Sequence, residues 1–60
     1  MTRKDYVKIA AAIRQHVEAN SAESYQTAFS MIAKSVADVL ADDNARFDRQ
    51  RFLTACGVNE

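Results

Sequence analysis

Proline is absent from this chain of 60 residues, and glycine occurs once, close to the C-terminal end. These are the two residues that most often interrupt a helix, and no stretch shows the period-two alternation of a half-buried strand. One cysteine cannot form an internal disulfide, and one cysteine with one histidine cannot complete a structural zinc site. The sequence therefore predicts an all-α chain without a disulfide, a metal or another cofactor.

An excess of charge of either sign is also missing. Eight basic and eight acidic residues give a formal net charge of zero, so the overall charge indicates neither a nucleic acid nor a membrane as partner. The apolar run at residues 9–13 is too short for a signal peptide or a membrane span. With a lone thiol and no targeting signal, we expect a cytoplasmic, reducing location.

The length predicts a single domain over residues 1–60, near the lower limit for an independent core. A chain of this size buries only about 60% of its unfolded surface. A core of that size rarely supplies more than roughly 3–5 kcal/mol. Since a disulfide and a metal are excluded, self-association is the remaining source of stability, and we expect a homodimer through the long middle helix.

Periodicity and capping residues predict a small three-helix domain, a helical hairpin plus a short C-terminal helix. The helices are expected over about residues 3–19, 22–42 and 49–56. Thr2 can cap the first helix, with Asp5 as its capping-box partner. Asn20 or Ser21 can cap the second.

Each of the two long helices carries an apolar stripe that is expected to face the core. In the first helix the stripe consists of Tyr6, Ile9, Ala10, Ile13 and Val17. In the second it is wider and consists of Tyr25, Ala28, Phe29, Ile32, Ala33, Val36, Val39 and Leu40. Met31 and Val7 lie outside the two stripes and are expected on the surface, which favours an interface slightly.

The segment RFDRQRFLTACGVN predicts a short helix with defined ends. Asp48 is placed to cap the first turn, and Phe47 and Phe52 are spaced as a hydrophobic staple. Gly57 can take a positive φ where the helix must stop, and Val58 follows as the apolar residue of a Schellman-type ending. These positions specify a shape and no chemistry.

Four residues suggest chemistry but are better explained by structure. A catalytic histidine needs an orienting carboxylate and a nucleophile, and no motif in the sequence identifies either for His16, so we interpret it as a boundary residue. Cys56 lies at the C-terminal end of its helix, where thiols are not activated, and is expected to be a small buried residue. Asp42 and Asp43 point in different directions on a helix and are expected at a solvated helix end.

Six basic residues and one methionine are the candidate contacts for a partner. The basic residues are in two segments, which come together if the first and third helices are neighbours, and clustered positive charge is what phosphate binding needs. The candidates are Arg3, Lys4, Lys8, Arg46, Arg49, Arg51 and Met31.

The two ends of the chain resemble a family. The opening MTRKDYVKIAAAIR and the later ADDNARFDRQRFLTACGV are similar to a group of short uncharacterised proteins encoded mainly by bacteriophages and prophage-like elements. The resemblance covers a little over half of the chain, and the middle matches only in helical pattern. It implies a bacterial cytoplasmic setting and a phage accessory role, and it identifies no site residues.

Taken together, the sequence favours a non-enzymatic phage-type protein that acts by protein–protein interaction and modulates a host or phage protein. The alternative is a nucleic-acid-associated helical module that uses the basic residues of the first and third helices. Catalysis is a distant third, because a chain of 60 residues has little room for a substrate pocket.

Overall fold

The computed structural model of the protein describes residues 2–58, which form three α-helices. Helix α1 spans Arg3–Ala19, α2 spans Glu23–Asp43 and α3 spans Arg49–Cys56. The fold is all-α, a hairpin of two long helices with a short third helix packed on it, as the sequence predicts. The particle is long and thin, with principal extents of 33 × 17 × 13 Å.

Local hydrogen bonds explain where α1 begins. Its N-cap is Thr2, and the capping box with Asp5 is formed. The Asp5 carboxylate accepts from the Thr2 backbone N–H at 2.9 Å and from the Thr2 hydroxyl at 3.2 Å. These two hydrogen bonds, the backbone one first, lower the pKa of Asp5 below its ordinary value.

The predicted cap of α2 is wrong. The helix begins one residue later than expected, and its N-cap is Ala22, which offers no side-chain hydrogen bond. Asn20 instead donates from Nδ2 to the His16 carbonyl at 3.0 Å, which closes the end of α1. The corner is held by Gln26, whose Nε2 donates to the carbonyls of Val17 at 3.1 Å and Asn20 at 2.8 Å. Gln26 therefore ties the first turn of α2 to the last carbonyls of α1. It does not replace the N-cap of α2, because a cap accepts from backbone N–H groups and the Gln26 amide donates here.

The third helix has the ends that its sequence predicts. The Asp48 carboxylate accepts from the Arg51 N–H at 3.0 Å, and the rings of Phe47 and Phe52 lie 5.5 Å apart. At the other end, Gly57 has φ +82°. Its N–H donates to the Thr54 carbonyl at 3.0 Å, and the N–H of Val58 donates to the Leu53 carbonyl at 3.1 Å. These are the two hydrogen bonds of a Schellman motif.

Residues from all three helices meet in one core. Helix α3 supplies a third of the buried apolar side chains although it is only eight residues long, and it contacts α1 more extensively than α2. Cys56 is fully buried, as expected, and burial raises the pKa of its thiol. The buried residues are Ala10, Val17, Ala33, Ala37, Leu40, Phe52, Leu53, Cys56 and Val58.

The wide apolar stripe of α2 is only partly in the core, which corrects the sequence interpretation. The buried side of α2, which faces the other helices, consists of Ala33, Ala37 and Leu40. In contrast, Tyr25, Ile32 and Val39 are 54%, 55% and 68% exposed. One eight-residue helix is too short to cover the full width of the stripe, so part of it remains open.

Candidate interaction surfaces

A groove of about 500 Å³ lies where α1 meets the loop before α3 and α3 itself. We call it the basic groove, because three arginines line it: Arg3 from α1, Arg46 from the loop and Arg51 from α3. Its other lining residues are Tyr6, Val7, Ala10, Asn44, Phe47, Asp48, Phe52 and Ala55. The groove therefore combines cationic groups with an apolar floor.

Aromatic packing builds that floor. The Tyr6 and Phe47 rings meet edge to face with centroids 4.9 Å apart, and Phe47 continues to Phe52. The Tyr6 hydroxyl accepts a hydrogen bond from the Asn44 Nδ2 at 3.3 Å. Phe52 is only 4% exposed, and Tyr6 and Phe47 are partly buried against the same core. The floor is a fixed surface positioned by the staple of α3.

The loop that carries Arg46 is ordered by Asn44. The N–H of Asn44 donates to the Leu40 carbonyl at the end of α2, and its own carbonyl accepts from the Phe47 N–H. Its Oδ1 also accepts from the Arg46 N–H at 3.0 Å. One residue thus ends α2, orients the loop and contacts α1 through Tyr6, a role that the sequence analysis missed. An asparagine directly after a helix was the available signal.

The three arginines are available for a ligand. Their side chains are exposed and make no ion pair or side-chain hydrogen bond with any residue in the range 2–58. The single carboxylate in the groove belongs to Asp48 and is already used to cap α3. Three guanidinium groups against one carboxylate leave this groove electropositive in a chain of zero net charge.

The remaining predicted contacts lie elsewhere. Lys4 and Lys8 are exposed on α1 outside the groove. Arg49 is directed to α2, where it pairs with Asp38 and reaches the Lys34 carbonyl at 3.4 Å. Met31 is 66% exposed, beside a shallow depression near the end of α3. The structure therefore brings three of the six basic residues together and assigns Arg49 to packing.

The residues considered for catalysis or metal binding show no assembled site. His16 is exposed, and Asp42 and Asp43 are exposed in the last turn of α2. Within residues 2–58, no three His, Cys, Asp or Glu side chains are grouped so that they could hold a metal ion. None of the helices described in this range is long and apolar enough to cross a membrane.

A second surface is formed by the exposed part of α2. We call it the open face and define it by Tyr25, Phe29, Ile32, Val36 and Val39. Phe29 and Val36 are half-buried and also pack on the core, whereas the other three are more than half exposed. The two rings at its start are stacked, with centroids 6.5 Å apart. The open face shares no residue with the basic groove.

Comparisons with known protein families, with curated proteins and with solved structures gave no match.

Proposed function

We propose that this chain is a small protein-interaction module that acts without catalysis, and that the basic groove takes an acidic segment of the partner protein. The observation that carries the proposal is the convergence of Arg3, Arg46 and Arg51 on one apolar floor. Guanidinium groups bind carboxylates through paired hydrogen bonds, which are stronger than those between neutral groups. The floor suits one apolar side chain placed between the acidic residues.

The resemblance to short phage proteins supports an accessory role in a bacterial cell, with a host or phage protein as the partner.

The nucleic-acid alternative is less well supported by the groove. Only three basic side chains meet, and binding to duplex DNA depends on the number of phosphates neutralised. Non-specific binding to single strands also uses aromatic faces that are free to stack with bases. Here Tyr6, Phe47 and Phe52 pack edge-on or tilted against each other, so the rings serve as a floor.

Titration with synthetic peptides tests the proposal. The probe is a short peptide in which phenylalanine is flanked by glutamates, and its counterpart has glutamines in place of the glutamates. We expect binding of the acidic peptide only. Arg46→Glu or Arg51→Glu should weaken it at least tenfold, since a charge-assisted hydrogen bond contributes about 1.5–3 kcal/mol.

Lys8→Glu is the matched control, because it makes the same charge change on α1 outside the groove. Equal weakening by Lys8→Glu would show that overall charge, and not the groove, controls binding. The nucleic-acid alternative would be established if the protein did not bind the acidic peptide but bound a short DNA duplex, with an affinity that falls steeply as the salt concentration rises.

A further inference from the structure

The open face has the spacing of a helix–helix seam. Its residues follow one another at intervals of four, three, four and three, which is the a/d pattern of a coiled coil. All five are uncharged, and the residues next to them on the outer side, Ala28 and Ser35, are small and exposed. Such a strip allows another helix to approach closely along about 21 Å of α2.

The surface area of the chain is larger than its mass predicts. A compact monomer of 6.7 kDa has an accessible surface of about 3,900 Å². The accessible surface here is 4437 Å², which is roughly 500 Å² more. The three most exposed residues of the open face, Tyr25, Ile32 and Val39, are large apolar side chains.

We propose that a second copy of this chain covers the open face, with the two α2 helices antiparallel and a two-fold axis at Ile32. This interface is separate from the basic groove and does not depend on its function. Tyr25 and Val39 lie seven residues, two helical turns, on either side of Ile32. An antiparallel pair therefore places Tyr25 of each copy opposite the smaller Val39 of the other.

Side-chain size favours this orientation over the parallel one. In an antiparallel pair Tyr25 of one copy lies opposite the smaller Val39 of the other, and Phe29 lies within one residue of the level of Val36, so the axes keep an even separation. A parallel pair would stack four aromatic rings at one end and leave four valines too far apart at the other.

The dipole of α2 favours the same orientation. Asp42 and Asp43 lie in its last turn, at the negative pole of the helix dipole. A parallel pair would bring four carboxylates together at two negative poles. The antiparallel pair keeps the two acidic ends about 30 Å apart. It also sets the negative pole of each helix beside the positive pole of the other, where Glu23 lies in the first turn, so the attraction comes from the dipoles and not from the side-chain charges.

The size of the face sets the expected affinity. A seam of 15 residues buries less than the roughly 800 Å² per partner of a standard interface, so we expect dissociation in the micromolar range. Sedimentation over roughly 1 µM to 1 mM should show a monomer–dimer equilibrium. A monomer throughout that range would overturn the proposal.

Two variants with the same added charge locate the interface. Ile32→Lys should raise the dimer dissociation constant at least tenfold, because both copies carry the change at the axis. Met31→Lys is the control, since Met31 is the next residue and 66% exposed but lies about 100° around the helix. Both variants should keep wild-type helicity. Equal dimerisation of Ile32→Lys and wild type, or equal loss in both variants, would contradict the open face as the interface.

Disulfide trapping determines the orientation. Tyr25→Cys mixed with Val39→Cys should give a crosslinked heterodimer on mild oxidation, whereas each variant alone should not. Crosslinking of each variant with itself would show a parallel pair and overturn the antiparallel arrangement. The wild-type chain gives the background, because its Cys56 is fully buried.

Discussion

The positive φ of Gly57 leads to the sharpest prediction for the fold. A Cβ added at this position would meet Arg14 Cγ and Val17 Cγ1 at 3.6 Å, which is ordinary van der Waals contact. Space is therefore available, and the penalty of Gly57→Ala comes from the backbone alone. An L-residue forced to φ +82° costs about 1 kcal/mol or slightly more. For a domain of this size that loss lowers the melting temperature by roughly 4–8 °C.

Asparagine separates backbone strain from packing. Gly57→Asn adds a larger side chain, but asparagine tolerates the left-handed region better than alanine does. We therefore expect the free energy of unfolding to fall less for Gly57→Asn than for Gly57→Ala, with both measured by urea denaturation at one protein concentration. A larger loss for Gly57→Asn would show that the added volume, and not φ, limits position 57. An unchanged midpoint for Gly57→Ala would refute the Schellman ending as a source of stability.

Three further perturbations test the caps and the core. Asp48→Ala should cost about 0.5–2 kcal/mol in urea denaturation, whereas Asp48→Asn, which keeps an acceptor for the Arg51 N–H, should cost less; equal losses would exclude the cap. Gln26→Ala removes two hydrogen bonds at the α1–α2 corner and should cost roughly 1–3 kcal/mol, while the exposed Gln15→Ala should be neutral. Burial raises the pKa of Cys56, so its contribution is complete below the ordinary thiol pKa of about 8.5 and is lost as pH rises above it. The denaturation midpoint should therefore fall from pH 8 to pH 10 more steeply in wild type than in Cys56→Ala, and parallel profiles would contradict this.

The elements that sequence predicts well here are those set by residues close together along the chain. The cap at Asp48, the staple of Phe47 with Phe52 and the stop at Gly57 each involve residues at most five positions apart. Such interactions use spacing alone, and spacing is visible in the sequence. The same holds for the capping box of α1, whose two partners are three positions apart.

The predictions that failed depend on which element lies opposite. Asn20 and Ser21 have good capping chemistry, but the α1–α2 corner is organised by Gln26, six residues after Asn20. Similarly, the sequence cannot separate Arg46 from Arg49, which are three residues apart. The cap at Asp48 starts α3 between them, so that Arg46 stays on the loop beside the groove and Arg49 is directed to Asp38 on α2. Only the packing of α3 on both long helices decides these roles.

The exposed half of the α2 stripe follows from the same limit. Periodicity shows that Ile32 and Ala33 both belong to an apolar arc, but not how much of the arc α3 can cover. An eight-residue helix that already packs on α1 reaches only the side with Ala33 and Ala37. The width of the arc exceeds what the chain can bury, which is why the open face supports an intermolecular role.

The two proposed surfaces together predict avidity. A dimer formed through the open face presents two basic grooves, so a densely coated acidic-peptide surface should retain it far longer than it retains a monomer, because the second contact is intramolecular. Ile32→Lys should therefore shorten retention on the coated surface at concentrations where wild type is dimeric. Its affinity for the same peptide free in solution should remain unchanged, since Ile32 does not line the groove. Met31→Lys should match wild type in both measurements. A loss of free-peptide affinity in Ile32→Lys would show that the face and the groove are coupled and not independent.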